Sequence, residues 1–312
     1  MELLDSRQLR AFQELARQGS FTAAAKNLNL TQSAVSHSIK ALENALEVSL
    51  FERLGKSVCL TPSGEVLLKH ADRILSRMER AQDEITLLGR PGHGRLRIGA
   101  TVTISQYVLP SVLRELRESF PDFDITVVTA DSRDLMQKLE TGDIDVAVAL
   151  ENAYSDKLKP ERLFQDQIQM ALSPMHPFAK MKKIQSEDLA LESFIFYSQN
   201  SETFRILEQQ SRENGVNLKT ALQVGSMAAI KEMAKIGMGV GLLSPWVAEA
   251  ELASGSLLFR PLPWKIRERH WAIHRDSRHE KQAIEDVFAG ICKNVIDTLI
   301  QRTNRLLDKG VD

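Results

Sequence analysis

The chain has 312 residues, 40 Lys plus Arg against 41 Asp plus Glu, and a formal net charge of -1. At this length two or three domains are expected, and a hydrophobic share of 43% supports ordinary globular cores. No run of 18 apolar residues and no basic-then-apolar leader is present, which argues against a membrane partner or export and predicts a cytoplasmic protein.

Two short helices joined by a tight turn are predicted over residues 20–43. Phe21, Ala24 and Leu28 lie at helical spacing, and Thr31 is placed to N-cap the second helix. The second helix directs three apolar residues inward at i, i+4 and i+7, which are Val35, Ile39 and Leu42. This is the layout of a helix-turn-helix, and the alternative is an amphipathic surface helix.

Small polar side chains face outward from the second helix. A glutamine such as Gln32 can pair with an adenine edge, and a serine such as Ser36 can bond to either base type. Residues 50–62 predict two short strands around a glycine turn, a wing on which Arg53 and Lys56 would suit phosphate contacts. The residues expected to contact DNA are Thr22, Thr31, Gln32, Ser33, Ser36, His37, Lys40, Arg53 and Lys56.

The segments "GSFTAAAKNLNLTQSAVSHSIKALE", "LFER" and "LTPSGEVLL" follow a first helix in this order. Together they resemble the DNA-binding domain of LysR-type transcriptional regulators, with Ser33 where Pro is frequent and His37 where Arg is frequent. The resemblance extends from about Leu4 to Ile296. It implies a winged helix-turn-helix, a dimerising linker helix and a two-lobed α/β effector domain similar to periplasmic binding proteins.

A long helix is predicted from Pro62 to about Leu88, with apolar residues spaced 4, 3, 4, 3, 4, 3. The alternative is a helix lying on its own core. Residues 1–62 carry only seven basic and six acidic side chains, so one copy should bind DNA weakly, and useful affinity needs a dimer or tetramer. The predicted dimerisation seam is Leu67, Ala71, Ile74, Met78, Ala81, Ile85 and Leu88.

Strands and helices alternate from Arg95 onward, which predicts mostly parallel, doubly wound sheets. A single strand is expected over 162–172, and the chain is expected to return to the first lobe at about residue 267. The domain boundaries predicted are 1–62 for the winged helix-turn-helix, 63–89 for the linker, 90–94 for a hinge and 95–312 for the effector domain. Lobe 1 would take about 95–162 and 267–300, and lobe 2 about 163–266.

Three polar loops precede helices in this half, where ligands of open α/β sheets bind: 101–105, 198–203 and 225–227. Ser and Thr also cap helices everywhere, so capping alone is the alternative for each loop. The resemblance implies an inter-lobe pocket at matching positions. The candidate effector-binding residues are Thr101, Thr103, Ser105, Thr129, Ser198, Asn200, Ser201, Thr203 and Ser226.

Segment 101–110 is similar to the branch of that family that governs carbon fixation and sulfur assimilation, whose effectors are small anionic metabolites. The implied partners are double-stranded promoter DNA, a carboxylate, phosphate or sulfur-containing anion, further copies of the chain, and RNA polymerase.

Catalytic function is the main alternative from another class, and an architectural DNA-binding protein is a third. No nucleophile elbow, phosphate-binding loop, HExxH or paired CxxC occurs, and the glycine-rich 237–241 enters a strand instead of leaving one for a helix. The two cysteines, Cys59 and Cys292, make neither a metal cluster nor a disulfide framework. We therefore expect no enzyme activity, no metal and no cofactor.

Overall fold

The computed structural model describes residues 4–54, 57–87, 94–151, 158–277 and 283–309. The chain divides into two compact units. One comprises Met1–Arg95 and Gln137–Ile144, and the other Leu96–Met136 and Asp145–Asp312.

Three helices, a two-stranded wing and a long helix follow one another in the first unit. Thr31 caps the third helix as predicted, since its Oγ1 accepts a hydrogen bond from the Ala34 N–H at 3.2 Å. Gly19 and Asn29 take the left-handed conformation, with φ of 62° and 54°, and so end the first two helices. The elements are α1 (Ser6–Gln18), α2 (Phe21–Asn27), α3 (Gln32–Leu46), β1 (Phe51–Leu54), β2 (Ser57–Leu60) and α4 (Pro62–Leu87).

One hydrophobic core holds these elements together. Phe12, Leu15, Val35 and Leu42 are almost fully buried at its centre. The wing strands pair antiparallel, and the Val58 N–H donates to the Gly19 carbonyl at 3.1 Å, which ties β2 to the end of α1. The predicted helix-turn-helix and wing are therefore present.

The apolar residues of α4 divide between two roles. Leu67 and Ala71 are buried in the core of the first unit, so the prediction that they form a dimerisation seam is wrong. They pack inward because the first turns of α4 lie against α1 and β2. Further along, four predicted seam residues are exposed: Ile74, Met78, Ala81 and Ile85. Leu88 and most of the predicted hinge at 90–94 lie outside the described residues.

The second unit alternates strands and helices. Its first part contains β3 (Gly94–Ala100), α5 (Val102–Tyr107), α6 (Leu109–Ser119), β4 (Phe123–Thr129), α7 (Ser132–Thr141), β5 (Val146–Leu150) and β6 (Leu158–Asp166). The middle part contains β7 (Gln169–Leu172), α8 (Pro177–Lys180), β8 (Phe194–Phe196), α9 (Glu202–Glu213), β9 (Thr220–Gln223), α10 (Met227–Lys235), β10 (Val240–Leu243), α11 (Glu249–Ser254) and β11 (Leu258–Arg260). The chain ends with β12 (Arg269–Asp276) and α12 (Ala283–Lys309).

Two five-stranded sheets define two lobes. Lobe 1 has the strand order β4-β3-β5-β12-β6, and lobe 2 has β11-β7-β10-β8-β9. The chain crosses between the lobes twice, after β6 and before β12. Arg269 at the start of β12 stands opposite Asp166 at the end of β6 in an antiparallel pair.

Two local predictions from sequence are wrong. The single strand expected over 162–172 is two strands, β6 and β7, which lie in different sheets because the chain changes lobes between them. Segment 101–105 is not a loop: Thr101 caps the short helix α5, so Thr103 and Ser105 project from a helix. Within the described ranges, no helix has the length and hydropathy needed to cross a membrane.

Candidate functional site

The outer face of α3 is a polar surface on a rigid support. Val35, Ile39 and Leu42 are buried beneath it, which fixes the rotation of the helix about its axis. Thr31 is also exposed, and its hydroxyl lies 3.0 Å from that of Ser33. Four exposed side chains and one half-buried one form the surface: Gln32, Ser33, His37, Lys40 and, half-buried, Ser36.

The remaining predicted DNA contacts lie on α2 and the wing. Thr22 is exposed near the start of α2. Arg53 belongs to β1, although its side chain is outside the described part of the structure, as is the whole of Lys56. An exposed polar helix whose first turn is free of neighbouring structure can enter a major groove.

A cavity of about 300 Å³ lies between the two lobes of the second unit. Lobe 1 supplies the start of α5 and the segment that leads into α7, and lobe 2 supplies Tyr197 and the start of α9. Trp271 on β12 and Met227 on α10 also line it. The cavity is thus built at strand ends and helix starts, where the fold was expected to hold a ligand.

Five of the nine predicted effector-binding residues line this cavity: Thr101, Thr103, Asn200, Ser201 and Thr203. The other four do not. Ser105 and Thr129 bond to each other at 3.3 Å, since Ser105 projects from a different face of α5 than Thr103 does. The Ser198 hydroxyl accepts a hydrogen bond from the Asn200 N–H, and Ser226 caps α10. Both side chains therefore stabilise the local backbone.

The lining hydroxyls differ in what they can offer a ligand. Ser201 donates to the Ser198 carbonyl at 2.7 Å and accepts the Phe204 N–H at 3.2 Å, so its proton is already used. Within the described part of the chain the Thr101 hydroxyl only accepts, from the Ile104 N–H at 3.5 Å, so its proton is available. Because a hydroxyl carries one donor hydrogen, Ser201 is a cap here and Thr101 a better ligand contact.

A buried ion pair that the sequence did not reveal lies behind Thr203. Arg269 and Asp166 form two hydrogen bonds, from Nε to Oδ1 at 2.8 Å and from Nη2 to Oδ2 at 2.6 Å. Burial favours a raised pKa for the Asp166 carboxyl. The Arg269 charge and the hydrogen bonds from Arg269, Ser244 and Trp246 outweigh this, and the pKa lies below its usual range.

Aromatic side chains surround this pair. Trp246 donates its indole N–H to Asp166 Oδ2 at 2.7 Å and contacts Trp271 edge-on, with ring centroids 6.0 Å apart. Phe164 on β6 stacks on Trp271 at 5.8 Å. A recess of about 30 Å³, the size of one or two waters, adjoins the larger cavity and is lined by Trp246, Trp271 and Arg269.

Most charged side chains that line the larger cavity are exposed, and Glu202 is half-buried. Asp131, Arg133 and Asp134 from lobe 1 and Arg205 from lobe 2 line it and are exposed. Tyr197 also lines it, and burial together with the nearby Asp131 charge raises the pKa of its phenol, which keeps the hydroxyl a neutral donor.

Comparison with known proteins finds a family match for both parts of the chain. Residues 6–65 match the family profile described as bacterial regulatory helix-turn-helix protein, lysR family, and residues 89–292 match LysR substrate binding domain. The chain belongs to the LysR family. The resemblance drawn from the sequence is thereby confirmed, including the arrangement of a helix-turn-helix followed by an α/β substrate-binding domain.

Curated LysR-type relatives cover most of the chain. The probable RuBisCO transcriptional regulator of Cyanidioschyzon merolae is 32% identical over 251 residues, covering 78% of this chain and 83% of its own. The uncharacterized HTH-type transcriptional regulator YeiE of Escherichia coli K12 is 31% identical over 280 residues, covering 89% and 94%. Among solved structures, a full-length OxyR variant of Pseudomonas aeruginosa superposes with a TM-score of 0.69 at 24% identity, covering 94% and 96%.

These matches place the chain in a family of DNA-binding transcriptional regulators that carry a substrate-binding domain. The relatives are regulators and not enzymes. In this LysR-family chain α3 lies within the matched helix-turn-helix region, and the inter-lobe cavity lies within the matched substrate binding domain.

Proposed function

We propose that the protein is a sequence-specific regulator of transcription controlled by a small anionic metabolite bound between the lobes of its second unit. The observation that carries the proposal is the cavity of about 300 Å³, whose lining combines hydroxyl donors with charged side chains that are mostly exposed. Cavities of this size accommodate small metabolites.

The hydrogen-bonding groups in the cavity favour an acceptor. Thr101 and Thr103 have hydroxyl protons free for a ligand, since Thr101 accepts its only hydrogen bond and, among the described residues, none is found for Thr103. The first two N–H groups of α9 face no helical carbonyl, and the helix dipole adds a partial positive charge there. Arg133 and Arg205 at the rim add positive potential but stand beside Asp131, Asp134 and Glu202. A small carboxylate, phosphate or sulfur-containing anion meets these conditions.

One relative and one sequence resemblance support the same ligand class. One is named as a probable regulator of RuBisCO, and segment 101–110 resembles the branch that responds to small anionic metabolites. From these similarities we infer only the class of ligand, an oxyanion held by the hydroxyl groups of the cavity.

A ligand screen tests the proposal. Thermal unfolding is followed in a panel of carboxylates, phosphates and sulfur oxyanions, because a ligand that binds only the folded state stabilises it by mass action. The active ligand should stabilise Thr129→Val as it does the unchanged protein but stabilise Thr103→Val much less, since only Thr103 lines the cavity. No response to any anion would favour an architectural protein with an empty scaffold, and equal responses in the two variants would remove Thr103 from the site.

We further propose that the working form is a dimer or tetramer in the cytoplasm, with domain boundaries near 62, 89 and 94. The first unit is close to neutral, and DNA affinity rises with the number of phosphates neutralised, so several copies on one site are needed. Ile74, Met78, Ala81 and Ile85 offer an exposed apolar face at 4, 3, 4 spacing for a second copy.

The mechanism we propose couples the two functions. A bound anion changes the angle between the lobes, and thereby the spacing of the DNA-binding pairs and the bend of the promoter seen by RNA polymerase. Footprinting with and without the active anion checks this. A protected region of unchanged length and position would contradict the coupling while leaving both binding functions intact.

A further inference from the structure

Arg269 makes two hydrogen bonds in addition to its ion pair. The side chain is almost completely buried, and Asp166 holds it through both carboxylate oxygens. Its Nη2 also donates to Ser244 Oγ at 2.8 Å. Its Nη1, on the opposite side of the guanidinium, donates to the Thr203 hydroxyl oxygen at 2.6 Å. Thr203 lines both the effector cavity and the adjoining recess, so the guanidinium acts on a ligand-facing group from behind.

This hydrogen bond changes what Thr203 can do. A threonine hydroxyl has one proton and two lone pairs, and the Arg269 N–H occupies one lone pair. The positive guanidinium repels the hydroxyl proton and polarises the O–H bond, which makes the hydroxyl a stronger donor on its other side. The neighbouring hydroxyl, that of Ser201, already donates its hydrogen to the Ser198 carbonyl. Thr203 is therefore the hydroxyl at the start of α9 best able to donate to a ligand.

A second buried Arg–Asp ion pair in the same unit has, within the described residues, no contact with a cavity-lining hydroxyl and serves as a comparison. Arg97 is as deeply buried as Arg269, and Asp145 holds it at 2.8 Å and 3.3 Å through both carboxylate oxygens. Neither Arg97 nor Asp145 lines the cavity or the recess. The contact to a ligand-facing hydroxyl distinguishes Arg269 from this structural pair.

We propose that Arg269 is a positioning residue of the effector site, which acts through Thr203 and makes the pocket select a ligand group that only accepts hydrogen bonds. The inference rests on the proposed function and adds to it a specificity: a fully deprotonated oxyanion such as a sulfate or sulfonate group binds better than one that keeps a hydroxyl. Asp166 neutralises the guanidinium, so the selection comes from the direction of hydrogen bonds and not from net charge.

Two inorganic probes separate the possibilities. At mildly alkaline pH sulfate has only acceptor oxygens, whereas hydrogen phosphate also carries a hydroxyl that needs an acceptor. Binding of each to the full-length protein is measured by tryptophan fluorescence, because Trp246 and Trp271 line the recess. The quantity compared is the ratio of the two dissociation constants, which a general loss of stability does not change.

Three variants and one matched control complete the test. Arg269→Lys keeps the positive charge but loses the planar guanidinium, so it cannot donate hydrogen bonds to Asp166 and Thr203 at the same time. We expect it to lower the preference for sulfate about tenfold, the effect of losing one charge-assisted hydrogen bond. Arg97→Lys should disturb its own buried pair and leave the ratio unchanged. In a Thr203→Val background Arg269→Lys should have less than about a twofold further effect, and in a Thr203→Ser background its full effect.

The outcomes distinguish two failures. If the unchanged protein binds neither sulfate nor hydrogen phosphate, this inference is refuted, while the carboxylates of the ligand screen decide the proposed function separately. If sulfate binds but Arg269→Lys and Arg97→Lys change the ratio equally, or the effect persists in Thr203→Val, Arg269 has only a structural role. Should Arg269→Lys fail to fold, nitrogen-15-labelled arginine gives the second readout. Sulfate should then shift the Arg269 side-chain signal in the unchanged protein and in Thr203→Ser but not in Thr203→Val, and an unmoved signal refutes the contact.

Discussion

Two glycines inside helices should respond to alanine substitution with opposite signs. Gly64 lies in the first turn of α4, and a Cβ built there would overlap the Leu50 carbonyl oxygen and lie 2.8 Å from Leu60 Cδ2. Gly290 lies in the interior of α12, is exposed, and would place a Cβ in open space. Helix propensity alone predicts that alanine stabilises both sites by up to about 1 kcal/mol.

The backbone clash reverses this expectation at Gly64. The Leu50 carbonyl cannot move freely, because it accepts the Thr61 N–H at 3.0 Å where the wing joins α4. Overpacking of this kind costs about 1–3 kcal/mol, so Gly64→Ala should lose about 2 kcal/mol. For a domain of 60–100 residues this lowers the melting temperature by about 10 °C. Gly290→Ala should gain about 0.5 kcal/mol.

The distribution of chromophores allows the two units to be followed separately. All three tryptophans lie in the second unit, at 246, 264 and 271. Gly64→Ala should therefore lower the midpoint temperature of part of the circular-dichroism transition and leave that of the tryptophan fluorescence transition unchanged. Gly290→Ala should raise the midpoint temperature of the tryptophan transition slightly. If Gly64→Ala is as stable as the unchanged protein, the packing of α4 against the wing is wrong.

Three further predictions concern the other sites. Gln32→Ala should abolish specific footprints while the first unit stays folded, whereas a footprint like that of the unchanged protein would exclude Gln32 from recognition. Ile85→Asp together with Ile74→Asp should lower the sedimentation coefficient by placing two charges on the exposed face of α4, and an unchanged oligomer would remove that face from the interface. Burial lowers the pKa of His274. Below about pH 6.5 the unfolded chain therefore binds a proton at this residue that the folded chain does not bind. As the pH falls further, folding stability decreases by up to about 1.4 kcal/mol per pH unit. His274→Gln should flatten this dependence in denaturation titrations between about pH 7 and pH 5.5, and an unaltered slope would assign it to other groups.

The sequence was most informative where local rules decide the structure. The Thr31 cap and the stripe of Val35, Ile39 and Leu42 depend on neighbours within a few residues, and both were correctly predicted. Leu67 and Ala71 fit a dimer seam equally well by spacing. A heptad pattern shows that a face is apolar, but it does not show whether the same chain or a second copy covers it.

The candidate site shows the same limit. Thr101, Thr103 and Thr203 could be chosen because polar residues at strand ends often face a cleft. Arg269 and Asp166 could not, since they are 103 positions apart and come together only because β6 and β12 pair in register. The use of the Ser201 proton by Ser198 depends on loop geometry, which no pattern of residue types reveals.

The placement of the Arg269–Asp166 pair has a mechanical consequence. Both lobe crossings pass side by side at this point, and points near the axis of a rotation move least. A rotation of one lobe against the other about this point would therefore move Arg269 and Asp166 less than the cavity-lining residues farther away. The hydrogen bonds of the pair to Ser244, Trp246 and Thr203 hold the end of β6 and the start of β12 to lobe 2.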